Sequence, residues 1–122
     1  MMTYSFVCSA MQKAVYEVNI KCQDQETFDA FLAWLKDEHI ADMLKLPGFE
    51  SASVMTQIAE TWADFPENAG VHKQEIVALY ELTDEAALKA YLEQHAPKMR
   101  GLLPEKFRQK VKFHRRMLTR QF

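Results

Sequence analysis

Along residues 14–22, Tyr16, Val18 and Ile20 alternate with Glu17, Asn19 and Lys21. A period of two in a stretch rich in β-branched and aromatic side chains predicts a strand. From 25 to 45 the period becomes helical: Phe28, Phe31, Leu32, Leu35 and His39 share one face, Asp24 stands at the capping position, and Pro47 and Gly48 stop the run. A second strand is predicted over 49–59, light in its first half. It is followed by one long loop, 61–73, with Pro66, Asn68 and Gly70 as turn residues. A third strand spans 74–82. Thr83 is then expected to cap a helix over 84–96, with Asp84 and Glu85 in its first turn, where the helix dipole favours them. Pro97 kinks or ends that helix, and Pro104 starts a short turn before a fourth strand over 111–122.

The order is β-α-β-β-α-β, and the two halves match unit by unit. Glu38-His39 with Met43 four residues beyond the histidine recurs as Gln94-His95 with Met99. With right-handed crossovers this order gives an α+β, ferredoxin-like fold: a four-stranded antiparallel sheet with two helices on one face. The first and fourth strands are then neighbours, so Glu17 or Glu81 is expected to pair with Arg115 or Arg116. The bare sheet face, read as carrying Phe113 and Met117, needs cover, and a symmetric homodimer supplies it.

A chain of 122 residues forms one domain; residues 1–13 read as an N-terminal extension and 14–122 as the ferredoxin-like domain. The formal net charge of −2 argues against a polyanionic partner, although basic residues gather late, from Lys98 to Arg120. Cys8 and Cys22 have no metal-like spacing and read as reduced thiols of a cytoplasmic protein. Residues 1–12 lack the pattern of a signal peptide, and no stretch approaches the roughly 18 apolar residues of a membrane span. Three separated glycines build no phosphate loop.

A resemblance now enters. Trp34 through Ile40, then Pro47-Gly48-Phe49, then Tyr91 with His95-Ala96-Pro97, then Phe113 and Arg115, resemble a family of short bacterial proteins classed as a domain of unknown function, DUF4286. The likeness covers roughly 14–119, with Trp34, His39, His95, Pro97 and Arg115 at recurrent positions. The 61–73 loop is longer than the family's hairpin, and the first ten residues have no counterpart. The family is similar to the dimeric α+β-barrel superfamily, whose ferredoxin-like subunits pair through their sheets. It implies a fold and a dimer, and brings no established reaction, substrate or catalytic residue.

His39 and His95 both stand near the middle of their apolar stripes. They read either as neutral rings packed between helix and sheet, hydrogen-bonded to a carbonyl or to Tyr16 or Tyr80, or as a ligand or general base beside a pocket. Antiparallel helices displace the two histidines by roughly 13 Å along the axis at about 1.5 Å per residue, too far for one shared metal ion. His39, His95, Tyr16, Tyr80 and Arg115 are therefore the ligand-pocket candidates, with no metal and no cofactor expected. Trp34, off the apolar stripe, and Trp62 and Phe65, in the long loop, are the interface candidates. RNA binding is disfavoured, because Glu75 and Val77 occupy the third-strand positions where stacking rings belong. Two functions remain: a homodimeric ligand-binding or protein-interaction module, or a cofactor-poor monooxygenase- or isomerase-like enzyme with a pocket between helices and sheet.

Overall fold

The alternation over 14–22 becomes strand β1 (Ala14–Cys22), whose Ala14, Tyr16, Val18 and Ile20 are buried while Val15, Glu17 and Asn19 are half-exposed. The structure, a computed structural model, describes residues 12–58 and 74–122. The Cys8 thiol, nearly all of the expected 1–13 extension and the loop bearing Trp62 and Phe65 lie outside the described residues. β1 is central: it pairs antiparallel with β3 (Glu75–Leu82) on one side and with β4 (Val111–Thr119) on the other. β2 (Phe49–Thr56) completes the order β2-β3-β1-β4 by pairing with β3. This is the ferredoxin-like α+β arrangement. β2 and β4 stop at Thr56 and Thr119, short of the expected 59 and 122.

The register decides which side chains share a face. Tyr16 stands opposite Tyr80 and Met117, and Val18 opposite Ala78 and Arg115; Ile20 stands opposite Ile76 and Phe113. Phe113 and Met117 therefore belong to the helix-covered face, which corrects their expected place on the open one. Val15, Val77, Leu79, Met55 and Leu118 occupy the open face, with Glu17 and Arg116 between them. Alternation likewise splits the two arginines. Arg116 forms a double hydrogen bond to Glu17 at 2.7 and 3.0 Å, Glu81 pairs with Arg120 at 2.8 Å, and Arg115 faces the helices.

The first crossover begins as expected: Asp24 is extended and its Oδ1 accepts the Thr27 N–H at 2.8 Å, starting α1 (Gln25–Trp34). The helix then widens into one π turn (Leu35–His39), in which the Ile40 N–H donates to the Leu35 carbonyl, before continuing as α2 (Ile40–Leu44). Packing accounts for this turn. Phe31 and Met43, both buried, are twelve positions apart, which at about 100° per residue leaves them about 120° out of phase on an uninterrupted helix. Absorbing one extra residue reduces that offset to about 20° and lets both reach the core.

Gly48 turns the chain at φ +85 into β2, close enough to the second crossover that a Cβ there would meet the Ala87 Cβ at 2.7 Å. That crossover opens with Asp84 rather than Thr83. Asp84 has the extended backbone, and its Oδ1 accepts the Ala87 N–H at 2.9 Å to cap α3 (Glu85–Gln94). The Thr83 hydroxyl instead donates to the Gly48 carbonyl at 3.4 Å. At His95 the backbone leaves helical geometry, and Pro97 sits in the first turn of a new helix, α4 (Ala96–Gly101). A 3₁₀ turn (Glu105–Phe107) then delivers the buried Phe107 beneath α1. No helix of the described residues is long and apolar enough to cross a membrane.

Candidate functional site

Large side chains on the covered sheet face meet helices that do not close fully over them. The remaining space is a cavity of about 240 Å³. Its floor is Tyr16, Val18, Ile20, Ala78 and Tyr80 from the central strands, with Phe113 and Arg115 from β4; α1 and the π turn supply Phe31, Trp34, Leu35 and His39. Met43, Tyr91, Met99, Arg100 and Leu103 complete the wall, which contains no carboxylate among the described residues. Small Ala78 in the centre of the sheet leaves room where a larger strand residue would fill it.

The π turn shapes one wall. In an α-helix, residues five apart point about 140° away from each other at about 100° per residue. The wider turn brings Trp34 and His39 onto one side instead, with ring centroids 4.6 Å apart and planes 19° from parallel. Trp34 also packs against Phe31 at 5.3 Å and Phe107 at 6.0 Å. The exposed position expected of Trp34 is thus corrected: it is half-buried in the cavity wall, because α1 turns Thr27 and Phe31 inward and leaves Phe28 and Leu32 half-exposed, which puts Trp34 about 60° from the buried Phe31.

His39 is half-buried, and its Nδ1 is shut away without a hydrogen-bond partner among the described residues. Burial holds its pKa below the usual 6.5, with Asp42 opposing. Among the described residues neither Tyr16, Tyr80 nor a backbone carbonyl, each an expected partner, bonds the His39 Nδ1. His95 does not line the cavity; the break between α3 and α4 takes it off the stripe that Leu88 and Tyr91 follow. The repeat in sequence around the two histidines does not extend to their surroundings.

The phenolic wall is formed by three tyrosines. Tyr16 lies 6.1 Å from Tyr80 and 5.4 Å from Tyr91, centroid to centroid, and the Tyr91 hydroxyl donates to the Met43 sulfur at 3.9 Å. Burial pushes the hydroxyls of Tyr80 and Tyr91 well above the ordinary tyrosine range, so both are neutral donors. Arg100 donates to the Tyr16 hydroxyl at 3.4 Å, and the Arg115 guanidinium lies 4.8 Å from the Phe113 ring centre. Of the sequence candidates, the cavity gathers His39, Tyr16, Tyr80 and Arg115. Sequence reasoning did not reach Tyr91 and Arg100, although Tyr91 lies on the same predicted stripe as His95. Arg100 gave no signal, because it follows a helix break whose geometry is tertiary. Among the described residues no cluster of His, Cys, Asp and Glu is arranged to hold a metal ion.

Solved structures share this architecture at low sequence identity. A dimeric ferredoxin-like protein from an uncultured marine organism superposes with a TM-score of 0.62 at 13% identity, covering 90% of this chain and 95% of its own. HapK from Hahella chejuensis gives 0.58 at 19% identity, with coverages of 88% and 91%. SnoaB from Streptomyces nogalater, a cofactor-independent oxygenase, gives 0.52 at 14% identity, with coverages of 91% and 95%. These likenesses concern the fold. No curated protein matches the chain in sequence. A family model described as a domain of unknown function (DUF4286) matches residues 13–121, so the chain belongs to that family.

Proposed function

We propose that the protein is a homodimeric small-ligand-binding module whose ligand occupies the cavity between helices and sheet. The observation that carries this reading is the cavity itself. At about 240 Å³ it exceeds the roughly 150 Å³ of an apolar cavity known to admit benzene. An apolar wall with a few polar groups is the usual composition of a ligand pocket. The buried, unpartnered His39 Nδ1 supports the same reading, since structures seldom leave such an atom unsatisfied. A thermal-shift screen of neutral and charged aromatic compounds tests it. Concentration-dependent stabilisation is expected in the native chain, and its loss is expected in Ala78→Phe, which fills the floor, or in Leu103→Trp, which narrows the wall. A blank screen sinks the reading, as does stabilisation that both variants retain.

The dimer is proposed to form through the open sheet face. Val15, Val77 and Leu79 are half-exposed there, and Met55 and Leu118 are 44% and 37% exposed. The solved neighbour described as dimeric supports self-association. Light scattering at micromolar concentration should give twice the chain mass of 14.2 kDa; a mass of one chain would remove the dimer. The activity described for the oxygenase neighbour does not carry over at 14% identity, so the enzyme reading is not the one we favour.

A further inference from the structure

The chain has five arginines, and three of them face carboxylates: Arg108 lies 2.8 Å from Glu105, Arg116 lies 2.7 Å from Glu17, and Arg120 lies 2.8 Å from Glu81. Among the described residues, Arg100 and Arg115 have no carboxylate partner, and both line the cavity. Arg100 is exposed and Arg115 half-buried, and no described carboxylate neutralises either charge. Arg115 lies over the Phe113 ring, and Arg100 reaches one phenol. A guanidinium beside an apolar wall is stabilised far more by a carboxylate, which it meets with two parallel N–H···O bonds, than by a neutral acceptor. Among the described residues the wall carries no negative charge of its own.

We propose that the cavity selects an aromatic carboxylate of one or two fused rings, its anionic group held by Arg100 and Arg115 and its ring system placed among the aromatic side chains. The inference rests on the cavity being a ligand site and adds the ligand's chemistry. The volume sets the upper size, since a single ring fits in roughly 150 Å³ and about 240 Å³ leaves space for one more. The ring requirement comes from Phe31, Trp34, Tyr16 and Phe113, which offer faces and edges for stacking. Both arginines also lie close enough to Tyr91 to draw its hydroxyl's pKa back down against burial, which puts their positive field inside the cavity.

Calorimetric titration of the full chain with 2-naphthoate, 2-naphthamide and inorganic phosphate tests the inference. The carboxylate should bind at least tenfold more tightly than the isosteric amide, and phosphate should give no heat of binding. In Arg115→Met and in Arg100→Met the preference should fall toward parity, the carboxylate losing more affinity than the amide. Arg115→Lys, which keeps the charge, should retain part of it. Should Arg115→Met fail to fold, Arg100→Met, on the exposed side of the wall, carries the same test. Equal binding of amide and carboxylate would overturn the proposed ligand class and leave the ligand-site reading intact. A preference surviving both methionine variants would overturn the assignment to these arginines. Failure of all aromatic probes to bind would remove the ligand site and this inference with it.

Discussion

Replacing His39 with phenylalanine should stabilise the protein, and by an amount that depends on pH. The imidazole Nδ1 is buried and unpartnered, a condition that costs about 1–3 kcal/mol. Phenylalanine removes that atom and keeps a flat ring against Trp34, where the present centroid separation is 4.6 Å; such ring pairs contribute about 0.5–1.5 kcal/mol beyond their buried area. The slightly larger ring has the cavity beside it, so overpacking is small. A net gain of about 1 kcal/mol follows at about pH 8, where the histidine is neutral in both states. Below that the gap should widen. Burial holds the folded-state pKa under 6.5, so as pH falls through 6.5 the unfolded chain takes up more protons at this position than the folded chain does. The histidine form therefore loses stability as pH drops through that value and levels off below its folded pKa, by at most about 1.4 kcal/mol per pH unit. The carboxylates and the other histidines titrate in both proteins and cancel in the difference. Urea denaturation followed by far-ultraviolet circular dichroism, at about pH 8 and about pH 5.5, measures the two gaps. A variant less stable at the higher pH, or a gap that does not grow at the lower one, would refute the reasoning.

Gly48→Ala should lose about 1–3 kcal/mol, because a left-handed backbone and a 2.7 Å approach to the Ala87 Cβ act together; adding Ala87→Gly should recover the contact portion, and additive losses in the cycle would contradict this. Asp84→Ala should cost about 1 kcal/mol through loss of the 2.9 Å cap on Ala87, lowering the melting temperature by a few degrees, whereas Thr83→Val should cost less; the reverse ranking would return the cap to Thr83. Burial, with Asp24 adding to it, pushes the Cys22 thiol up to about 11. Brief iodoacetamide treatment at neutral pH should therefore leave Cys22 unmodified in the folded protein, read by peptide mass spectrometry, and modify it after denaturation. Rapid labelling of the folded chain would count against that burial.

The strands were readable because each sheet position carries its own signal: Tyr16, Val18 and Ile20 are buried for the same reason that Glu17, Asn19 and Lys21 are not. The β-α-β-β-α-β order and the identity of the central pair follow from that signal and from handedness. Side-chain direction on helices was less readable. The expected stripe centred on Phe28 and Leu32, whereas Thr27 and Phe31 face the core, so the wheel set Trp34 outside the cavity; nor can a wheel turning by a constant angle register the π turn that brings His39 beside it. His95 failed through a similar cause: the backbone at that residue breaks the helix, and the stripe ends one turn earlier than the spacing implies. Arg100 was invisible because its role depends on where α4 is aimed. Asp84 against Thr83 was decided by backbone geometry at one residue, which adjacent polar side chains do not distinguish.

The π turn has a consequence for how sequences of this kind compare with one another. It stores one residue that the core does not require: with that residue gone, Phe31 and Met43 would fall in phase on a plain α-helix. A deletion within Lys36–Glu38 should therefore be tolerated by the packing, and Trp34 and His39, then four positions apart and about 40° from each other, would stay neighbours on one helix face. Length at this point and the composition of the cavity wall are thus independent. Relatives one residue shorter here can keep the same core and the same ring pair, so a single-residue gap at this point in an alignment would mark the loss of a π turn and not a change of ligand.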